Sequence, residues 1–436
     1  MKKISEKGNK IGARNWIIIW IAGLAGQLCW NIENQWFNTF VYAKIAPNPS
    51  IISWMVGISA VVTTLSTFLM GTLSDRKGKR RPFIGYGYIL WGAFTIVFGA
   101  TEFLPRNNIM MIASMVVLAD AVMSFFGSAG NDAGFNPWTT DITNESNRGG
   151  LGAVIAVQPV IATILGSVIS GYLIGALDYF GFFILMGAMV GAVGIYCLFA
   201  VKESPQLKPN RDGKGYWHQF FSAFNFRVFV KHRLLLWTFL IFSAFFISFN
   251  VYFPHILNYF IYTLGYSEGD AGLILGIGLI IAIPATLPTS KYINKGKFVT
   301  VLSFAIALNI IGLFVIIIPN IVGLVIGIIL VGAGYMCVYQ TLMVWVKNLY
   351  PEDKRAQFEG IRLLFYVCIP MVIGPAIASP IISRYGIPMV NQYNEAGFSA
   401  GNELFFVAAA MALLTYIPIF FAYREQKKIK AHITTC

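Results

Sequence analysis

The sequence predicts an all-α membrane protein with twelve transmembrane helices in two pseudo-symmetric six-helix bundles. Three observations predict it. The 436 residues are 57% hydrophobic and 12% charged, with a mean hydropathy of +0.67, far below the roughly 25% charged content of soluble domains. Twelve apolar runs long enough to cross a hydrocarbon core of about 30 Å begin near residues 16, 51, 84, 109, 150, 179, 234, 269, 298, 321, 361 and 403. With the N-terminus inside, every lysine and arginine except Lys44, Arg106 and Arg384 falls in an inner segment, the bias that cytoplasmic loops show. The runs are continuous rather than alternating, so the spans are helices and not barrel strands.

The chain opens on a basic stretch, "MKKISEKGNKIGARNW". The run after it is long and punctuated by polar residues, without a small-residue cleavage site, so it reads as a retained first helix rather than a signal peptide. Both termini are then expected in the cytoplasm, with the protein in the cell membrane. The formal net charge of +13 follows from topology and anionic inner-leaflet lipid, without a nucleic-acid partner. Five cysteines at 29, 197, 337, 368 and 436 show no paired spacing, which indicates neither disulfides nor a metal site. The longest inner segment, 202–233, divides the chain into an N-terminal bundle (1–201), a linker whose aromatic and basic second part suits a headgroup-level amphipathic helix, and a C-terminal bundle (234–436). Internal repetition supports the division. "KGK" at 77–79 recurs at 295–297, and "DITNESNR" at 141–148 parallels "NLYPEDKR" at 348–355. Duplicated bundles of this kind describe transporters with a site between the halves.

Ionisable and amide groups inside the spans mark a pathway by default. In span one, Gln27, Asn31, Asn34 and Asn38 fall on one stripe at 100° per residue, flanked by Trp30 and Phe37. Amides both donate and accept, and an aromatic face covers the apolar side of a sugar ring, so this stripe is expected to bind a polyhydroxylated solute. The bland reading is packing glue between helices. Glu33 lies on another flank, as a proton site or as a prop against span five or a loop. Span four puts Asp120, Ser124, Gly127 and Asn131 on one face; Asp120 and Asp132 are equal candidates for coupling to a cation gradient. The second half offers Asn250 and His255 around the helix-breaking Pro254, Tyr339 and Gln340 in span ten, and a span eleven punctuated by Pro370, Pro375 and Pro380. Asn250, Tyr339 and Gln340 are expected to face solute, and His255 to be able to relay protons.

The loop after span two reads "GTLSDRKGKRRP" (71–82). There the sequence resembles the major facilitator superfamily, whose signature is Gly-x-x-x-Asp-Arg-x-Gly-Arg-Arg. Gly71, Asp75, Arg76, Gly78 and Arg80 match, with Lys79 for the first late arginine. Asp75 can pair with arginines and approach the N-terminus of a neighbouring helix, while Gly78 allows a tight turn. The resemblance implies the major facilitator fold, alternating access, and an inner gate at Asp75, Arg76, Gly78 and Arg80. Asp141, Glu145, Arg148 and the paralogous Arg355 are assigned to the same gate. The second-half loop keeps Lys295 and Gly296 but has no acidic partner. The run "GNDAGFNPWTTDITNESNRG", with "ENQWFNTF" of span one, is similar to the glycoside-pentoside-hexuronide cation symporters, on Asp132, Pro137, Trp138, Asp141 and Arg148. Melibiose-type members place acidic residues within span two to bind sodium, and here that span, "IISWMVGISAVVTTLSTFLMGTL", has only Ser and Thr.

No nucleophile elbow, Walker loop or metal-spaced cluster is present, and the four histidines are scattered. The expectation is therefore a monomeric secondary transporter that moves a sugar or glycoside with H+ or Na+, without a cofactor. The alternatives are an exporter of amphipathic cations or a lysolipid carrier, and, outside transport, a multispan membrane enzyme.

Overall fold

The computed structural model describes residues 11–143, 148–205, 207–209, 215–217, 232–350 and 355–435. Among them, eleven helical stretches are long and apolar enough to cross a bilayer. Ten carry one span each: Ala13–Ile45, Pro49–Lys77, Arg81–Phe103 and Ile109–Asp141 are spans one to four; Arg233–Thr263, Glu268–Asn294, Phe298–Ile316, Ile321–Leu349, Gly360–Tyr385 and Glu403–Ile429 are spans seven to twelve. The eleventh, Gly150–Ala200, has 51 residues, about 77 Å of helix, too long for one crossing. It turns at Asp178, whose φ of 56° and ψ of 171° leave the helix, and the Asp178 carboxylate accepts the Tyr179 N–H at 2.8 Å as a cap for the helix that follows. That stretch therefore supplies spans five and six, and the described residues make twelve passes.

Local signals set the helix ends. Asn108, Ser267 and Asn320 accept the N–H groups of Met111, Asp270 and Gly323 at the starts of spans four, eight and ten, filling donors that a helix N-terminus leaves open. In span seven, Pro254 lies in a 3-10 turn, Phe253–His255, and a π turn follows at Tyr259–Thr263. Span eleven changes to a π turn at Leu364–Cys368 before Pro370, with Pro375 and Pro380 inside the next helix. The two "KGK" loops have the same turn. Gly78 and Gly296 are left-handed, at φ 60° and 69°. Gly78 N–H bonds the Asp75 carbonyl and Lys79 N–H that of Ser74, as Gly296 and Lys297 do to Ile293 and Tyr292.

By contact the chain forms two compact units, the first of Met1–Phe37 and Val61–Phe220, the second of Asn38–Ala60 and Phe221–Cys436. The end of span one and the start of span two thus belong to the second unit. Within the first, spans three and six approach at glycines: a Cβ on Gly92 would collide with the Gly187 carbonyl oxygen and lie 2.7 Å from the Gly191 nitrogen. Such small-residue contact is how helices pack in lipid, where no hydrophobic force draws them together. Gly92→Val should therefore sharply lower the yield of monodisperse protein in detergent, while Gly175→Ala, with nothing within 4 Å of its added methyl, should leave it unchanged. Equal yields would remove the close approach.

The second unit has an apolar core around Phe239, Phe242, Leu302, Ile306, Val338 and Trp345. It also contains an element that the all-helical reading did not anticipate. Strands β1 (Ile387–Val390) and β2 (Ala396–Ser399) form an antiparallel hairpin between spans eleven and twelve, with Ile387 opposite Ser399. The hairpin is fastened to the end of span one and the turn after it. Phe398 N–H bonds the Pro47 carbonyl at 3.0 Å, Tyr42 Oη donates to the Phe398 carbonyl at 3.0 Å, and Asn391 Nδ2 donates to the Ile45 carbonyl at 3.3 Å. The linker helix expected within 202–233 lies mostly outside the described residues.

Candidate functional site

In the first unit the polar residues of spans one and four meet. Ser124 Oγ donates to Glu33 Oε1 at 2.8 Å. Asp120, one turn away on the same face of span four, is as deeply buried as Ser124 and Glu33, and side chains four apart on a helix sit about 5–6 Å from each other. Glu33 is thus bonded to span four. A wheel gives direction about its own axis but not the identity of the neighbour. Two buried carboxyl groups on neighbouring spans, one of them bonded to Ser124, form the kind of intramembrane acidic cluster that marks a pathway or coupling site by default.

The structure separates the two aspartates that the sequence left equal. Twelve residues put them about 18 Å apart along the helix. Asp132 is half-buried in a π turn, Asn131–Phe135, and accepts the amides of Asn131 at 2.9 Å and Asn136 at 3.3 Å.

Gln27, Trp30, Asn31 and Asn34 are each half-buried, so part of each stays accessible. Asn34 Nδ2 donates to the Trp30 carbonyl at 2.7 Å, and Trp30 tilts against Trp91 at 4.8 Å. Asn31 lies against Gly166 of span five, and its buried Oδ1 has no hydrogen-bond partner among the described residues. Asn38 departs from the stripe. It is fully buried, belongs to the second unit, and its carbonyl accepts Asn258 Nδ2 at 3.3 Å. Span one also carries Gln35, which sequence reasoning passed over; its Oε1 accepts Ser167 Oγ at 3.1 Å. Its signal was an amide one residue beyond Asn34, off the stripe.

The second unit presents aromatic rings. Tyr335 and Tyr339 stack at 6.3 Å, Phe249 stacks on Tyr335 at 4.6 Å, and Tyr366 closes on Tyr339 at 5.5 Å. The half-buried Arg362 lies over Tyr366 at 5.7 Å. Two amides expected to face solute are occupied elsewhere. Gln340 donates to Ser290 Oγ at 2.7 Å and accepts from Thr289 at 3.2 Å, and the buried Asn250 donates to its own helix at Phe246. His255 is fully buried, with neither ring nitrogen hydrogen-bonded among the described residues; a relay needs a neighbour on each nitrogen.

The loop after span two is tied together by one buried arginine, in a contact cluster we call the Arg80 lock. Arg80, 5% exposed, reaches Asp75 at 2.6 Å, Asp141 at 2.9 Å and Ser74 Oγ at 2.8 Å. Burial alone would pull its guanidinium down, but the hydrogen bond to Asp141 and the charges of Asp75 and Asp141 outweigh burial and hold it above its ordinary value. At the N-terminus of span three a carboxylate, that of Glu203, takes the N–H groups of Arg80 and Arg81 at 2.9 Å. The left-handed Gly78 makes the turn, and Arg76 is half-buried beside it. Glu145 and the side chains of Arg148 and Arg355 lie outside the described residues.

No curated protein sequence matches the chain. Among solved structures it is similar to the nucleoside transporter NupG (12% identity, 93% of this chain and 98% of that one, TM-score 0.67) and to the D-xylose-proton symporter (15%, 93% and 97%, 0.68). It is also similar to a bacterial homologue of the human lysosomal transporter Spinster (13%, 95% and 98%, 0.70). At these identities the likeness is one of fold. The family profile described as Major Facilitator Superfamily matches residues 16–375; the chain belongs to that superfamily, and it is an integral membrane transporter rather than an enzyme.

Proposed function

We propose that the chain is a cation-coupled symporter of a sugar or glycoside, with H+ or Na+ held between Glu33 and Asp120. The observation that carries the coupling is Ser124 Oγ bonded to the buried Glu33 one turn from the buried Asp120. Within the first unit the solute is assigned to the accessible amides Gln27, Asn31 and Asn34 with the Trp30 face. The similar folds of a xylose-proton symporter and a nucleoside transporter support a glycoside, since a nucleoside is one chemically. The subfamily resemblance to glycoside-pentoside-hexuronide symporters points the same way. Both termini are placed in the cytoplasm and the working unit is a monomer.

A second reading, an amphipathic solute such as a lysolipid, is favoured by the aromatic cluster around Tyr335 and Tyr366. Arg362 over that cluster disfavours a cationic one.

The test is flux into proteoliposomes with a panel of labelled saccharides, nucleosides and a lysolipid, under imposed pH and sodium gradients. Uphill accumulation of one glycoside under one of the two gradients supports the reading; uptake of the lysolipid alone overturns it. With that solute, Asn31→Leu should raise KM by about tenfold, the loss of one or two net hydrogen bonds, with unchanged protein in the membrane. An unchanged KM would return Asn31 to packing.

A further inference from the structure

The outer surface of the first unit carries a groove of about 660 Å³ between spans two, three and four. Its walls are apolar, from Leu73 on span two, Phe83 and Leu90 on span three and Phe125 on span four, but one end is closed by Lys77 and Lys79. Both lysines are exposed, and the acids of their turn are committed elsewhere, Asp75 and Asp141 to Arg80. From Pro82 to Leu90 the groove follows span three for roughly 12 Å, close to the half-thickness of a hydrocarbon core, about 15 Å. Lys77 lies in the last turn of span two, and lysines near a helix end reach toward the headgroups.

We propose that this groove holds one anionic phospholipid, with its headgroup on Lys77 and Lys79 and one acyl tail between spans two, three and four. A tail already in the bilayer gains no hydrophobic energy by entering an apolar groove, so its wall supplies shape and the lysines supply selection. Each lysine near an anionic headgroup favours it over a zwitterionic one by about fivefold, and the pair by about twenty-fivefold. The same turn carries the Arg80 lock on its buried side, so the lipid sits directly behind the lock.

The full chain in phosphatidylcholine nanodiscs, doped with phosphatidylglycerol that carries a diazirine in its acyl chain, provides the test. Irradiation should place adducts on Phe83, Tyr86, Phe125 or Phe126, and a matched phosphatidylcholine probe should label these about twenty-fivefold less. Lys77→Gln/Lys79→Gln should bring the two probes level, whereas Lys291→Gln/Lys295→Gln should change nothing. Leu73→Trp, which fills the groove, should remove the adducts while the lysines stay; Leu90→Trp takes its place if that protein does not elute as a single species. Equal labelling by both probes in the unaltered protein, or adducts that survive both the lysine and the groove-filling changes, would overturn the proposal. Loss of selectivity with the lysines but not with the filled groove would also overturn it, leaving only a surface attraction.

Discussion

Arg80→Met is expected to destabilise the first unit by about 3 kcal/mol and to stop transport. Removing one member of a buried ion pair leaves the others without compensation, which costs about 3–5 kcal/mol. The lower end applies because Asp75 is 45% exposed and Asp141 23%, so both can recover part of their hydration. Lysine should not restore the lock: one ammonium cannot reach Asp75, Asp141 and Ser74 together as the guanidinium fork does. Thermal unfolding in detergent and solute flux in proteoliposomes read the two consequences separately. If Arg80→Met melts and transports as the parent does, the turn is only a solvated basic loop.

Asp120→Asn keeps the shape of the side chain and removes its charge. Under the coupling proposal the accumulation ratio should fall to one, whatever gradient is imposed, while solute exchange between equal concentrations continues. Glu33→Gln should do the same. If, as proposed, the two carboxylates and Ser124 act as one site, the double variant should be no worse than either single one, the non-additivity expected of groups in a shared network. Retained uphill accumulation in both single variants would take the pair out of coupling. Additive losses would show instead two separate sites, and Asp132 would become the second candidate.

The passes through the membrane could be read from the chain because lipid demands long apolar segments with all backbone groups paired internally. Even the division of the 51-residue helical stretch was visible, as a fresh apolar run near residue 179, next to the Asp178 turn. The Arg80 lock was half visible. Asp75, Gly78, Arg80 and Asp141 stand out by spacing, but Glu203 and Ser74 have ordinary surroundings in the sequence and acquire meaning only when the chain returns to them. Buried polar partners were the least legible. Helical periodicity aligned Asn38 with Asn31 and Asn34, yet nothing in it records that the neighbours change along the helix and that Asn38 packs with the second unit. Gln340 likewise seemed available until span eight brought Thr289 and Ser290 against it. The hairpin escaped because its strands are four residues each and include Pro388 and Gly397.

That hairpin bears on how the chain is made. The hydroxyl of Tyr42 finds its acceptor 356 residues later in the sequence, and the Pro47 carbonyl waits almost as long for its donor. At 5–20 residues per second of synthesis, the end of span one and the turn after it leave the ribosome about 20 to 70 s before their mate exists. A nascent polypeptide arrested ahead of residue 387 has its early segments inserted but this clasp unmade, so consolidation there must wait until the hairpin has been synthesised.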